Sequence, residues 1–263
     1  MKHRLDHLMV AKELVTTRSQ AESYIRLGVV RVDGKVQTKP GYFVDENSKV
    51  GLHSDQYVSR AGLKLASVAM LLKLDFKGKN VLDVGSSTGG FTDYALQHGA
   101  KKVVAVDVGT NQLHPKLRKD TRVELHEQTD IRSVRLQRPV ASSKVQVASN
   151  PVPEPLATNY MLLTTAPDII LVDVSFISMR ELLPTLAAVS SSATALVAML
   201  KPQFEAGKNQ VNKGVIKNDR MRRDILKDFE TWSRQLFVIK DKADSDVHGE
   251  KGNAERFYLL KIL

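Results

Sequence analysis

"VLDVGSSTGGFTDYAL", residues 81–96, runs from an apolar strand through a turn with glycines at 85, 89 and 90 into a helix. Glycine lets the backbone turn tightly and come close to a ligand, and the first N–H groups of a helix are free to bind one. The spacing is G-x-x-x-G-G. It differs from the dinucleotide pattern G-x-G-x-x-G, and no Lys-Ser or Lys-Thr pair follows to make a P-loop. Asp83 stands two residues before the first glycine. A carboxylate there would repel a pyrophosphate but suits a ligand with an ammonium and a sulfonium. Asp107 ends the next strand, 24 residues on, where a ribose diol would sit. The two acids predict an S-adenosylmethionine site. Without them the stretch would read as a plain strand-to-helix turn.

The pattern around this turn alternates. "NVLDVG" (80–85), "KVVAVDVG" (102–109), "DIILVDVS" (168–175) and "TALVAML" (194–200) read as strands, with helices at "GGFTDYALQHG" (89–99) and "MRELLPTLAAV" (179–189). Strands alternating with helices predict a doubly wound, mostly parallel sheet. A charged helix, "DRMRRDILKDFETWSRQL" (219–236), leads to "FVIK" and "RFYLLKIL". No helix separates these two strands, so they are expected to pair antiparallel. Ahead of the sheet, "SRAGLKLASVAMLLKL" (59–74) reads as a helix with Leu63, Ala66, Met70 and Leu74 as its apolar stripe.

Residues 1–57 differ from the rest. Two short helical patterns precede "VVRVDGKVQTKPG" (29–41), where alternation on both sides of Asp33-Gly34 signals a hairpin. We therefore divide the chain into a small α+β domain over 1–57 and an α/β domain over 58–263. Residues 134–167 interrupt the rhythm: five of the nine prolines and no glycine lie there. That composition predicts a surface insertion. The polar stretch "DKADSDVHGEKGN" (241–253) predicts a mobile loop between the last two strands.

The formal net charge is +10, which points to a polyanionic partner, nucleic acid foremost. The chain has no cysteine, which removes disulfides, thiolate metal sites and cysteine nucleophiles and fits a cytoplasmic setting. The longest charge-free segment, Leu182 to Leu200, is broken by Pro184, by Ser190, Ser191 and Ser192, and by Thr194, so no membrane span is expected.

These motifs together resemble the TlyA family, in which an RNA-binding domain precedes an FtsJ-like methyltransferase domain. "RLD" (4–6), "TTRSQAESYIRLGVVRVDGK" (16–35) and "KPG" (39–41) resemble the αL RNA-binding motif of a small-subunit ribosomal protein. "YVSRAGLKL" (57–65), "GSSTGGFTD" (85–93), "AVDVGTNQL" (105–113), "DVSFIS" (173–178) and "KPQFEAGK" (201–208) are similar to the family's signatures in order and spacing. Two departures stand out. The 134–167 insertion falls where the family has a short connection, and Ser86 replaces a common alanine.

The resemblance implies a Rossmann-like class I methyltransferase fold with a seven-stranded sheet. It also implies 2′-O-methylation of ribosomal RNA, on cytidine, with rRNA or ribosomal subunits as partners and no metal. The implied catalytic tetrad falls on Lys64, Asp173, Lys201 and Glu255, the last resting on "GNAERF" (252–257). The implied cofactor residues are Asp83, Gly85, Ser86, Ser87, Gly89, Gly90, Phe91, Asp107 and Asp130.

In-line transfer from a sulfonium mainly requires alignment of the groups and removal of the hydroxyl proton. A lysine that takes this proton must be neutral, a form favoured by burial and by a neighbouring cation, for which Lys64 is the candidate. The basic N-terminal helices are expected to track phosphates through Arg4, Arg18, Arg26 and Lys35, with little stacking on bases. Two alternatives stand against the enzyme: a non-catalytic RNA-binding or ribosome-assembly protein, and a membrane-active hemolysin, a label attached to the family.

Overall fold

A computed structural model describes residues 2–15, 17–26, 28, 30–52, 57–137, 160–206, 215–216, 218–247 and 253–263, with side chains except at 19, 20, 23 and 26. The N-terminal part runs β1 (Lys2–Arg4), α1 (Leu5–Ala11), α2 (Arg18–Arg26), β2 (Val30–Val32), β3 (Lys35–Val36), β4 (Phe43–Asp45) and β5 (Val50–Leu52). Leu5, Leu8, Met9, Tyr24, Ile25, Val30 and Val44 are buried together as its core. β2 is the centre of a three-stranded sheet, and β1 pairs antiparallel with β4. The predicted hairpin is β2–β3. Asp33 and Gly34 both have positive φ, +49° and +81°, which is the geometry that selects Asp-Gly in a two-residue turn.

The remainder runs α3 (Arg60–Ala69), β6 (Asn80–Val84), α4 (Gly90–Gln97), β7 (Lys102–Val106), α5 (Pro115–Arg118), β8 (Val123–His126), a 3-10 turn (Ile131–Ser133), β9 (Val134–Leu136) and β10 (Met161–Leu163). It continues with β11 (Ile169–Val172), α6 (Met179–Ala188), β12 (Ala195–Leu200), α7 (Pro202–Glu205), α8 (Asp219–Ser233), β13 (Phe237–Asp244) and β14 (Arg256–Ile262). Seven strands form one sheet in the order β13-β14-β12-β11-β6-β7-β8, with β14 antiparallel to both of its neighbours and the other pairs parallel.

Side chains alternate across this sheet. Val81, Val103, Leu171, Val197 and Met199 face a core built with α3 and α4. Leu82, Val84, Ile170, Val172, Leu196, Ala198 and Leu200 face a second core built with α6 and α8. Both faces are covered, so β11 and β12 are apolar throughout, and β6 departs from this at Asn80 and at Asp83.

Three expectations change. α3 ends at Ala69, and of the stripe Leu63, Ala66, Met70, Leu74 only Ala66 and Leu74 pack, half-buried, against the core. α3 buries Gly62, Leu65, Val68 and Ala69, and Met70 is 87% exposed. The helix is apolar on several sides, so a close contact sets its rotation: a Cβ at Gly62 would lie 2.5 Å from Tyr57 Cβ and 3.0 Å from Gly90 O. The second change concerns 134–167. β9 and β10 pair in parallel, and Val134 and Leu163 join the core beneath α6, so the ends of this stretch belong to the domain. Residues 138–159 lie outside the described residues. Third, residues 241–244 continue β13 as strand, and 248–252 lie outside the described residues.

Candidate active site

Register across the sheet brings the ends of β6, β11, β12 and β14 to one edge. Val172 pairs with Val84 and Ala198, and Leu200 pairs with Arg256. One step further, Asp173 N–H donates to Val84 O at 3.0 Å. Continued by one residue, the β12–β14 ladder sets Lys201 opposite Glu255. Pro202 opens α7 and ends the strand at Lys201, whose φ of −106° is extended, the region favoured before proline.

Lys201 Nζ lies 2.6 Å from Asp173 Oδ1 and donates to Ser175 Oγ at 2.8 Å. Lys64 Nζ, carried by α3, lies 2.6 Å from Glu255 Oε2. Glu255 is buried, and the other three side chains are largely so. Each lysine thus holds a carboxylate, and Lys64 faces Glu255. All four side chains expected to carry chemistry stand at this edge.

The glycine turn lies next to it. Gly85 has φ +78°, and a Cβ there would collide with the Asp173 carbonyl oxygen. Ser87 N–H and Gly109 N–H donate to the two oxygens of Asp107, each at 2.7 Å. Ser87 Oγ donates to Gln112 Oε1 at 2.9 Å. The Asp107 carboxylate is therefore fixed by backbone from two loops, and each oxygen can still accept a second bond.

Asp83 is fully buried beneath the turn. Its Oδ2 accepts from Thr92 Oγ1 at 2.6 Å, and Oδ1 has no partner among the described residues. Burial pushes its pKa up to about 7, with the charges of Asp173 and Asp107 adding to the rise and the Thr92 bond opposing it. Ser86 Oγ is likewise buried without a hydrogen-bond partner among the described residues. Orphaned buried oxygens beside a fixed carboxylate fit a ligand that brings a cationic end and hydroxyl donors.

Other expected cofactor residues play different parts. A Cβ at Gly89 would strike Leu117 and Leu113, and one at Gly90 would strike Ser59 Oγ, so both glycines make room for the protein itself. Phe91 is a core residue, its ring 6.0 Å from that of Phe257. Asp130 is half exposed and holds Arg132 through both oxygens, and its loop reaches Asp107 through Thr129 N–H, which donates to Asp107 O at 3.0 Å.

In the N-terminal domain, Arg4 and Arg18 both bind the buried carboxylate of Asp6, Arg4 by two bonds of 3.0 and 2.7 Å and Arg18 by one of 3.0 Å. Both guanidiniums remain partly exposed. Lys35 is exposed on β3, and the Arg26 side chain lies outside the described residues. Tyr42 and Phe43 are exposed on the same domain. The two domains touch where Tyr24 Oη donates to Leu113 O and the Tyr24 ring stacks on His114 at 6.1 Å.

The sequence reading missed Phe176. It is 91% exposed, has φ +66° and packs on Phe204 with ring centroids 5.1 Å apart. Its signal was an aromatic in the short connection "DVSFIS" between a strand and a helix. Among the described residues, no helix is long and apolar enough to cross a membrane, and no group of His, Asp or Glu is placed to hold a metal ion.

Comparison with known proteins matches residues 57–262 to the family described as FtsJ-like methyltransferase and residues 3–50 to the S4 domain. The chain is similar to a candidate rRNA methyltransferase of Bacillus subtilis, 36% identical over 99% of this chain and 85% of that protein. It is similar to the 16S/23S rRNA (cytidine-2'-O)-methyltransferase TlyA of Mycobacterium tuberculosis, 31% identical over 98% of this chain and 89% of that protein. Among solved structures, a hemolysin candidate from Streptococcus thermophilus superposes with a TM-score of 0.68 at 34% identity, covering 99% of this chain and 88% of the other.

Proposed function

The chain belongs to the FtsJ-like methyltransferase family and carries an S4 domain ahead of it, and we propose that it transfers a methyl group from S-adenosylmethionine to the 2′-hydroxyl of a cytidine in ribosomal RNA. The observation that carries the reading is the pair of lysine–carboxylate contacts at neighbouring strand ends, Lys201–Asp173 and Lys64–Glu255.

S-adenosylmethionine, when bound, supplies a methyl group already activated on a sulfonium. Asp107 takes the hydroxyls of its ribose, and Gly85, Ser86 and Ser87 shape the turn beside it. Asp83, protonated below about pH 7 in the free chain, is drawn toward its charged form by a cationic end above it. Asp130 stands on the loop that Thr129 ties to Asp107.

Lys201 takes the proton of the target hydroxyl at Nζ. Asp173 and Ser175 fix the direction of that amine: after the ammonium releases one proton to solvent, its two remaining N–H bonds stay on them and the lone pair faces the hydroxyl. Lys64 and Glu255 hold the ribose oxygen from the other side. Alignment is the larger share of the task, because in-line displacement depends steeply on the approach of donor and acceptor. Phe176 offers an aromatic face for the target nucleotide, and unpaired RNA bases commonly stack on such faces. The S4 domain anchors the RNA through phosphate contacts from Arg4, Arg18, Arg26 and Lys35.

The test is transfer of a labelled methyl group to intact small and large ribosomal subunits, followed by nucleoside mapping. The expected product is 2′-O-methylcytidine. No transfer to either subunit, with the cofactor bound, would favour a non-catalytic RNA-binding role.

A further inference from the structure

The carboxylate of Glu205 is buried and takes no part in the transfer described above. It closes α7, four residues after Lys201. Ser178 Oγ donates to its Oε2 at 2.6 Å and the Met179 N–H donates to its Oε1 at 2.6 Å. Arg180 Nε lies 3.8 Å from Oε2. These partners open α6, directly after the loop that carries Asp173, Ser175 and Phe176.

The segment 201–205 therefore grips the loop 173–178 at three places. Lys201 meets Asp173 and Ser175, the Phe204 ring packs on Phe176, and Glu205 holds Ser178 and Met179. A carboxylate that only capped α6 would account for the third grip but not for its alignment with the other two.

Phe176 shows what the grip is for. A bulky residue seldom adopts positive φ, and such a conformation persists only where its surroundings hold it. The residue is nevertheless 91% exposed, one position after Ser175, which accepts from the lysine amine. Resting on the function proposed above, we infer that Glu205 is a positioning residue: it clamps the 173–178 loop to the Lys201 segment, and so keeps Ser175 on the lysine amine and Phe176 presented to the target nucleotide.

Glu205→Ala and Glu205→Gln test this, with Lys201→Ala as reference. Three quantities are read: amide hydrogen exchange of residues 174–179, cofactor affinity by calorimetry, and single-turnover methyl transfer to ribosomal subunits well below the melting temperature. Glu205→Ala should speed exchange in the loop by about tenfold or more. It should slow transfer roughly 10- to 100-fold with cofactor affinity unchanged. Glu205→Gln keeps an oxygen for the Met179 N–H but loses the acceptor for Ser178 Oγ and the charge facing Arg180, so it should fall between Glu205→Ala and the unaltered chain in both. Wild-type exchange in the loop of Glu205→Ala, or wild-type transfer, overturns the clamp. If the alanine variant does not fold, Glu205→Gln decides alone: intermediate exchange and rate support the clamp, and wild-type values in both overturn it. Full transfer by Glu205→Ala beside an inactive Lys201→Ala rejects the clamp and leaves the proposed function standing. Absence of transfer by the unaltered chain rejects the proposed function, and the exchange measurement still decides the clamp.

Discussion

Lys201 and Asp173 close a 2.6 Å ion pair between the ends of two neighbouring parallel strands, β12 and β11. Neither side chain needs a long loop to reach the other, so the pair is placed by the most rigid part of the fold. Lys201→Ala removes the proposed proton acceptor and leaves the glycine turn untouched. Methyl transfer should fall by roughly 10²–10⁴-fold, the usual worth of a general base. Cofactor affinity measured by calorimetry should be retained. Substantial residual transfer would move the base elsewhere, with Lys64 the first alternative to substitute.

Asp83 carries a pH dependence of known sign. Its folded pKa is raised to about 7 from 3.8, chiefly by burial. Between these values the folded chain keeps a proton that the unfolded chain has lost. Stability from this group is complete below the unfolded value, falls as pH rises across the window, and is flat above it. A shift of this size amounts to about 4 kcal/mol. Asp83→Asn should abolish that slope in denaturant titrations between pH 4 and 7. The variant should be the more stable protein near pH 7 and the weaker cofactor binder. Parallel stability curves for the two proteins would show that Asp83 titrates normally.

Asp107 is held by the amides of Ser87 and Gly109. Asp107→Ala deletes both acceptors and leaves two loop amides without their partner. Each lost bond to a charged acceptor is worth about 1.5–3 kcal/mol. Cofactor affinity should drop sharply, because the carboxylate proposed for the ribose hydroxyls goes with them. Asp107→Asn keeps the oxygen for one amide and should recover part of the affinity. Equal affinity in all three proteins would remove Asp107 from the cofactor site.

How much of this was legible in the sequence depends on distance along the chain. β11 and β12 are apolar runs and β6 and β7 are largely so, each bounded by turn residues, so period and composition mark them. Asp33-Gly34 marks its own hairpin, and Pro202 marks the break after β12, with Lys201 between them. The face of α3 was not legible: the contact of Gly62 with Tyr57 and Gly90 sets it, and that contact spans the glycine turn. β9 and β10 were not legible either, because each is three residues long and pairs across the whole intervening segment. The Lys64–Glu255 contact joins the first helix of the domain to the residue just before its last strand, and only the assembled sheet reveals it. The exposure of Phe176 reflects loop conformation, which no apolar pattern encodes.

Asp6 links stability to RNA binding in the N-terminal domain. It is fully buried, and two guanidiniums, those of Arg4 and Arg18, bind it together with the His7 N–H. These bonds outweigh the cost of burial and hold its carboxyl well below the usual carboxylate range. A depressed carboxyl contributes stability above its unfolded value near 3.8, and that contribution is lost as pH falls toward the folded value. Asp6→Asn should therefore flatten acid unfolding and lower stability at neutral pH by about 2 kcal/mol, a figure kept small because both arginines are partly exposed. The substitution removes no positive charge. If Arg4 and Arg18 meet phosphates in the orientation Asp6 imposes, affinity for ribosomal RNA should still fall, since a freed arginine must be ordered on binding. Stability and affinity should then decline together in Asp6→Asn. Direct removal of a phosphate contact, as in Lys35→Ala, should instead reduce the salt dependence of binding by about one unit with little change in stability. Unchanged RNA affinity in Asp6→Asn would confine the two arginines to holding the domain together.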